Sequence, residues 1–213
     1  MPHRLTFLIA LACLSAWGTI IDRTAIVVGT HVIKDSDIDR EIRITSFLNN
    51  AQPDFSPSAR KQAASRLIDQ ELIREQIRSG KYPVATESEV ENLLAQIKKD
   101  RFANDAEYRQ ALRRYGITEA DLKERLSWQL TVLRFIDMRF RPAVVVSDED
   151  IQQFYNAHRA ELQREHPDAK GIDELKPEIE QMFVGERINK LLDEWLADSR
   201  KQVRIEYLEK TLQ

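Results

Sequence analysis

Two short apolar segments near the start of the chain, separated by a tight connection, most restrict what the chain can fold into. Residues Thr24 to Val28 and His31 to Ile33 are rich in β-branched side chains, and Gly29-Thr30 separates them. Glycine accepts the positive φ at the first central position of a type II′ turn, so this stretch predicts a β-hairpin. An isolated hairpin is marginally stable in water, and a third strand with an apolar face is the usual remedy. Another part of the chain must therefore supply that strand.

The only later segment with a clear two-residue apolar period lies near the C-terminus. In the segment Val203 to Leu208, Val203, Ile205 and Tyr207 alternate with Arg204 and Glu206, which is typical of a half-buried strand. We therefore predict that the two ends of the mature chain pair with each other in one small antiparallel sheet. The last helix must then pack among the first ones.

Between these strands the sequence predicts about seven amphipathic helices, so the fold class is mainly α. Asp35 or Ser36 is expected to cap the first helix, after the hairpin. Thr86 with Glu89 three residues later forms a capping box, and Gly116 ends a later helix.

The longest apolar stripe runs from Thr118 to about Arg141 and is wide enough to predict contacts with several neighbours. Pro142 stops this helix, and Ser147 starts the next one. An irregular loop is expected at about residues 159–177, with the last helix beginning after Pro177.

Residues 1–18 have the pattern of a secretory signal peptide, with a basic start at Arg4 and an apolar run that ends at Trp17. The run is about a dozen residues, fewer than the roughly 20 that a membrane-spanning helix needs, which argues against an uncleaved anchor. A lipoprotein signal ending at Cys13 fits less well. Cleavage after Gly18 would remove Cys13, which is the only cysteine, so no disulfide could form.

The expected mature chain, residues 19–213, is long enough to bury roughly 70% of its unfolded surface in a single domain. The formal net charge is −3, and acidic and basic residues are interspersed, so nucleic acid is not an expected partner. We expect a periplasmic or otherwise extracytoplasmic protein without a stable membrane span after cleavage. Its oligomeric state and its clients are left open.

Three stretches in order resemble SurA-type periplasmic chaperones. The first is "IDRTAIVVGTHVIKDSDID", which resembles the family's strand-turn-strand entry into a helix. The stretch "RLIDQELIREQIRSGKYPVATESEVENLLAQI" resembles the next two helices, and "VVVSDEDIQQFYNAH" resembles the step into an inserted proline-isomerase module. The resemblance implies an ATP-independent chaperone that holds unfolded envelope or outer-membrane polypeptides.

The inserted parvulin-type isomerase domain of many relatives is absent here. Such a module needs roughly 90 residues, judged against ordinary domain sizes, and about twenty lie between Tyr155 and Pro177. The glycines are never adjacent, so the Gly-Gly signature of that module is missing as well. We expect no isomerase activity, no catalytic residues and no cofactor. The alternatives are a degenerate prolyl isomerase and an assembly module with one defined partner.

Polar clusters offer little evidence of chemistry. His158, Glu165, His166 and Asp168 match no metal-ligand spacing and are read as solvated residues, so no metal is expected. The carboxylates at residues 148–150 suit the first turn of a helix.

Large apolar side chains are the best candidates for a binding surface. Their default position is the core, but a chaperone must leave some adaptable apolar surface accessible. We predict that clients are bound by members of one set: Trp128, Phe135, Met138, Phe140, Phe154 and Tyr155.

Overall fold

A computed structural model describes residues 22–169 and 171–212, and the predicted signal peptide lies outside them. The described chain forms three strands and seven α-helices, which confirms the predicted mainly α fold with a small antiparallel sheet. The strands are β1 (Thr24–Val28), β2 (His31–Lys34) and β3 (Ile205–Tyr207). The helices are α1 (Asp35–Leu48), α2 (Pro57–Gly80), α3 (Glu87–Arg101), α4 (Asp105–Tyr115), α5 (Glu119–Phe140), α6 (Asp148–Glu165) and α7 (Ile172–Gln202).

The sheet has the order β2-β1-β3, and both pairs are antiparallel. The C-terminal strand therefore supplies the predicted third strand. The Gly29 N–H donates to the Arg204 carbonyl at 2.8 Å, so the hairpin turn itself is tied to the end of the chain. Gly29 has a φ of +59°, whereas Thr30 does not have a positive φ, which fits the predicted type II′ turn.

The sheet packs on α1 and α2, and this layer forms one core cluster. Residues of β1 are buried against Ile38 and Ile42 of α1 and against Ile68 of α2. A second cluster joins the end of α1 to α3, α4 and α5. A third joins α2, α5 and the second half of α7, with Phe135 and Ile188 buried in it. Helix α5 thus contacts several neighbours, as its wide stripe predicts.

Local hydrogen bonds define most helix starts. The side chains of Ser56, Thr86, Thr118 and Ser147 each accept a backbone N–H from the first turn of α2, α3, α5 and α6. The expected cap of α1 was wrong by one or two residues. Lys34 takes that position, and the Asp37 carboxylate accepts its N–H at 2.9 Å.

Helix α6 and residues 172–187 of α7 form a two-helix arm. Helix α6 packs against α7 and makes no comparable contact with another described element. Helix α6 ends at Glu165 and α7 begins at Ile172, so the helices extend into the expected loop at 159–177 from both sides. Pro177 lies inside α7 instead of preceding it. Leu162 of α6 and Ile179 of α7 are fully buried between the helices, and this packing extends both helices past the expected boundaries.

None of the described helices combines the length and the apolarity needed to cross a membrane.

Candidate binding groove

A surface groove runs between α2 and α5, and we call it the α2–α5 groove. It consists of two adjoining pockets of about 190 and 560 Å³, which share Arg74, Glu124 and Trp128. The smaller pocket reaches β2 and α1, and the larger one reaches the loop between α2 and α3. The groove is therefore formed by β2, α1, α2, the loop that follows α2, and α5.

Trp128 lies where the two pockets meet. Its ring is half-buried, and the Arg74 guanidinium carbon lies 4.7 Å from the ring centroid. A cation over one face of an indole holds the ring in place by a cation–π interaction. The groove thus has an aromatic surface whose orientation is set before anything binds.

The loop that follows α2 supplies an apolar wall to the larger pocket. Tyr82 packs edge-on against the buried Phe135 with ring centroids 5.0 Å apart, and the neighbouring Val84 is 63% exposed. The loop is fastened to α5, because the Ala85 N–H donates to the Thr131 hydroxyl at 2.9 Å. An Arg134 N–H also donates to the Val84 carbonyl at 2.8 Å. This wall is consequently preformed and apolar at its exposed tip.

The floor of the smaller pocket is a buried carboxylate. Glu41 of α1 is 3% exposed, and it accepts hydrogen bonds from Arg125 of α5 and from Arg66 Nε of α2 at 3.2 Å. Burial lowers the pKa of the Arg125 guanidinium. The cluster fastens three helices at the base of the groove. Sequence reasoning missed Glu41, although a carboxylate between Ile38 and Ile42 on an apolar helix face was a usable signal.

Most charges on the rim are neutralised in pairs. Arg40 bonds Asp37 at 2.6 Å. Arg74 bonds Glu71 at 2.7 Å. Among the charged residues of the described ranges that line the groove, Lys81, Asp121 and Glu124 have no ion-pair partner. The groove therefore combines apolar side chains with one cation and two carboxylates that are not neutralised in ion pairs.

The six residues predicted to bind clients lie in different places in the structure. Trp128 lies in the groove, whereas Phe135, Phe140 and Phe154 are 0%, 6% and 6% exposed. These three rings are core residues, because the broad stripe of α5 and the apolar seam of the arm are covered by α7, although Phe154 also lines a separate pocket of the arm. Met138 is 54% exposed but does not line the groove. Tyr155 is half-buried in the arm.

The histidines of the arm pair with carboxylates of α7. His166 Nε2 lies 2.9 Å from the Glu178 carboxylate, and these two lie with Glu165 in a group whose ligand atoms are within 4.8 Å of one another. His158 is not part of that group. It stacks on Phe154 and faces Glu186 at 3.5 Å. Asp168 does not join either pair. These contacts join the two helices of the arm.

Residues 4–136 match the family of the SurA-like N-terminal domain. The matched span takes in β1, β2, α1 to α4 and most of α5, and it leaves the arm and β3 outside. Every residue that lines the α2–α5 groove falls within it. No curated protein matches the chain.

Proposed function

Because the chain belongs to the family of SurA-like N-terminal domains, a chaperone-type periplasmic family, we propose that it binds unfolded or extended envelope polypeptides in the α2–α5 groove. Binding would need no ATP, and outer-membrane polypeptides are the proposed clients. The observation that carries the proposal is an open groove with a fixed indole, located within the family-matched part of the chain.

The size and lining of the groove support this function. The larger pocket, at about 560 Å³, lies in the range of roughly 300–1,000 Å³ that is usual for ligand sites. It can accept one or two side chains of a bound segment. Its apolar contacts come from Trp128, Tyr82 and Val84, which select for apolar character and not for one sequence. Such binding suits a protein that must accept many clients.

We propose further that the protein works outside the cytoplasm and without catalysis. The leader pattern of residues 1–18 supports export, and the small space between α6 and α7 leaves no room for the isomerase module of relatives. A proline-isomerisation assay on a short peptide is expected to give the uncatalysed rate. A faster rate would favour the degenerate-isomerase alternative.

Aggregation of a diluted, urea-denatured outer-membrane barrel tests the function directly. The wild-type protein should suppress light scattering, and Trp128→Ala should lose most of that effect because the groove loses its indole. Leu133→Ala is the matched control, since Leu133 is a 64% exposed apolar residue of the same helix outside the groove. Equal suppression by Trp128→Ala and the wild-type protein would remove the groove from the proposal. Scattering that is indifferent to wild-type protein would remove the function.

A further inference from the structure

One strand of the sheet has a free edge at the groove. Strand β2 lies at the edge of the order β2-β1-β3, and Val32 and Ile33 of this strand line the smaller pocket. An edge strand carries backbone N–H and C=O groups that can pair with another chain. A residue of β2 can pair with a bound segment only if its N–H and C=O point away from β1.

The hydrogen bonds between β1 and β3 settle that direction. The Ala25 carbonyl accepts the Leu208 N–H at 2.9 Å, and the Gly29 N–H donates to the Arg204 carbonyl at 2.8 Å. Backbone groups alternate in direction along a strand, so Val27, midway between these residues, also points its N–H and C=O toward β3. Val27 cannot then bond to its partner on β2.

Val32 is that partner, and the pair Val27–Val32 is a non-hydrogen-bonded pair of the hairpin. The N–H and C=O of Val32 consequently point away from β1, toward the free edge. Its side chain is 51% exposed. No hydrogen bond to either backbone group comes from the described residues outside the hairpin.

The rest of this edge is closed. The Lys34 N–H, two residues along, is already bonded to the Asp37 carboxylate at 2.9 Å. The turn at Gly29 ends the strand on the other side. Asp37 also lines the smaller pocket, so the closed and the open positions of the edge both border the groove. The edge therefore offers one donor and one acceptor, both at Val32.

We infer that Val32 is a main-chain docking point, where an extended client segment pairs with β2 as a short fourth strand and continues along the α2–α5 groove. This inference rests on the proposed function and names how the same groove holds its clients. The matching ligand chemistry is one residue of an extended polypeptide with a free N–H and a free C=O. Every non-proline residue offers both groups, so this contact tolerates many sequences.

Pairing at Val32 also brings side chains to the pockets. A strand added to a sheet lies about 4.8 Å from its neighbour, and side chains on one face recur about every 7 Å along it. A segment paired at Val32 therefore runs beside the smaller pocket, and its next side chains reach toward Trp128. Main-chain pairing would let the groove accept many client sequences, while contact with the indole of Trp128 would favour apolar residues.

The experiment measures binding of a fluorescein-labelled peptide by fluorescence anisotropy, using the full chain. The peptide has roughly eight residues, alternating valine and threonine, with one central tyrosine to fix the register. A set of peptides with a single backbone N-methyl group at each position is compared with it. One position should lose about five- to tenfold in affinity, the worth of roughly one hydrogen bond, while its immediate neighbours should change little.

A protein-side pair of variants gives an independent measurement. Val32→Pro removes the outward N–H without removing a β1–β2 ladder bond, and proline is tolerated on edge strands. Val32→Ala keeps the N–H and removes only the side chain. Val32→Pro should bind about five- to tenfold more weakly than Val32→Ala, with circular dichroism confirming that both fold.

The two ideas fail in different ways. The docking point is overturned if all N-methylated peptides bind with the same affinity and the two Val32 variants also bind equally. The proposed function stands in that case, provided that the unmodified peptide binds the wild-type protein and Trp128→Ala abolishes this binding. If the wild-type protein binds no peptide and does not suppress aggregation, both are overturned.

Discussion

The buried carboxylate at the base of the groove permits a sharp test of how the first half of the fold is held together. Substitution of Glu41 by glutamine keeps the shape and one oxygen acceptor but removes the charge. Arg125, whose side chain is only 13% exposed, would then be a desolvated cation without its carboxylate. The variant should therefore be destabilised mainly through Arg125.

The size of the effect follows from burial. Removing one partner of a buried ion pair costs about 3–5 kcal/mol, and the retained amide oxygen places Glu41→Gln near the lower end, at about 3 kcal/mol. Arg66 adds little, because its side chain is 44% exposed and water can replace the lost contact. For a chain of this length, each kcal/mol shifts the melting temperature by about 2–4 °C, so a decrease of about 6–12 °C is expected.

Differential scanning calorimetry with urea titration measures both quantities. Arg66→Gln is the matched control and should cost below about 1 kcal/mol, since it breaks an exposed contact to the same carboxylate. The double variant Glu41→Leu/Arg125→Met should cost less than Glu41→Gln, because it leaves no buried charge without a partner. A melting temperature of Glu41→Gln within about 2 °C of the wild type would refute the assignment of Glu41 as a buried ionic cluster.

Three further predictions concern pH, the arm and the sheet. The backbone N–H and hydroxyl of Thr86 hold the pKa of Glu89 below its ordinary value, so the stability from this carboxylate is present above its unfolded pKa and is lost as pH falls through the folded one. Glu89→Gln should therefore flatten the acid side of the plot of melting temperature against pH, and an unchanged slope would contradict this. Pro177→Ala supplies the N–H that the Asp173 carbonyl lacks, and it should stabilise α7 by roughly 1–3 kcal/mol, seen as a higher melting temperature; no increase would argue against a cost of proline inside this helix. A chain that ends at Gln202 lacks β3 and should lose its cooperative transition by circular dichroism, whereas a sharp transition would show that the hairpin does not need a third strand.

The features that sequence predicted well are those with a local or a stability-based cause. The capping box of Thr86 and Glu89 depends on residues three apart, so the sequence contains all of it. The third strand is predictable because a hairpin alone is marginal and only one later segment, Val203 to Leu208, has the right period. The structure places Ile205 to Tyr207 of that segment beside β1.

The features that it missed depend on which neighbours cover a surface. Trp128 and Phe135 belong to one apolar stripe of α5 and look alike in sequence, yet α7 and Tyr82 cover Phe135 and leave Trp128 at the groove. The sequence predicts that the last helix begins after Pro177, because proline disfavours helix interiors, but apolar packing against α6 overrides that local preference. The groove itself arises between helices far apart in the sequence, so periodicity could not locate it.

The pairing of β1 with β3 also sets the order in which the molecule can be completed. Val27 lies opposite Glu206, so nearly the whole described chain must be synthesised before the central strand gains its second neighbour. Closing so long a loop is entropically costly and slows folding. A nascent polypeptide with this topology leaves the ribosome, or a translocation channel, with its amino-terminal hairpin still short of a partner. The sheet can be completed only after residues 205–207 have emerged.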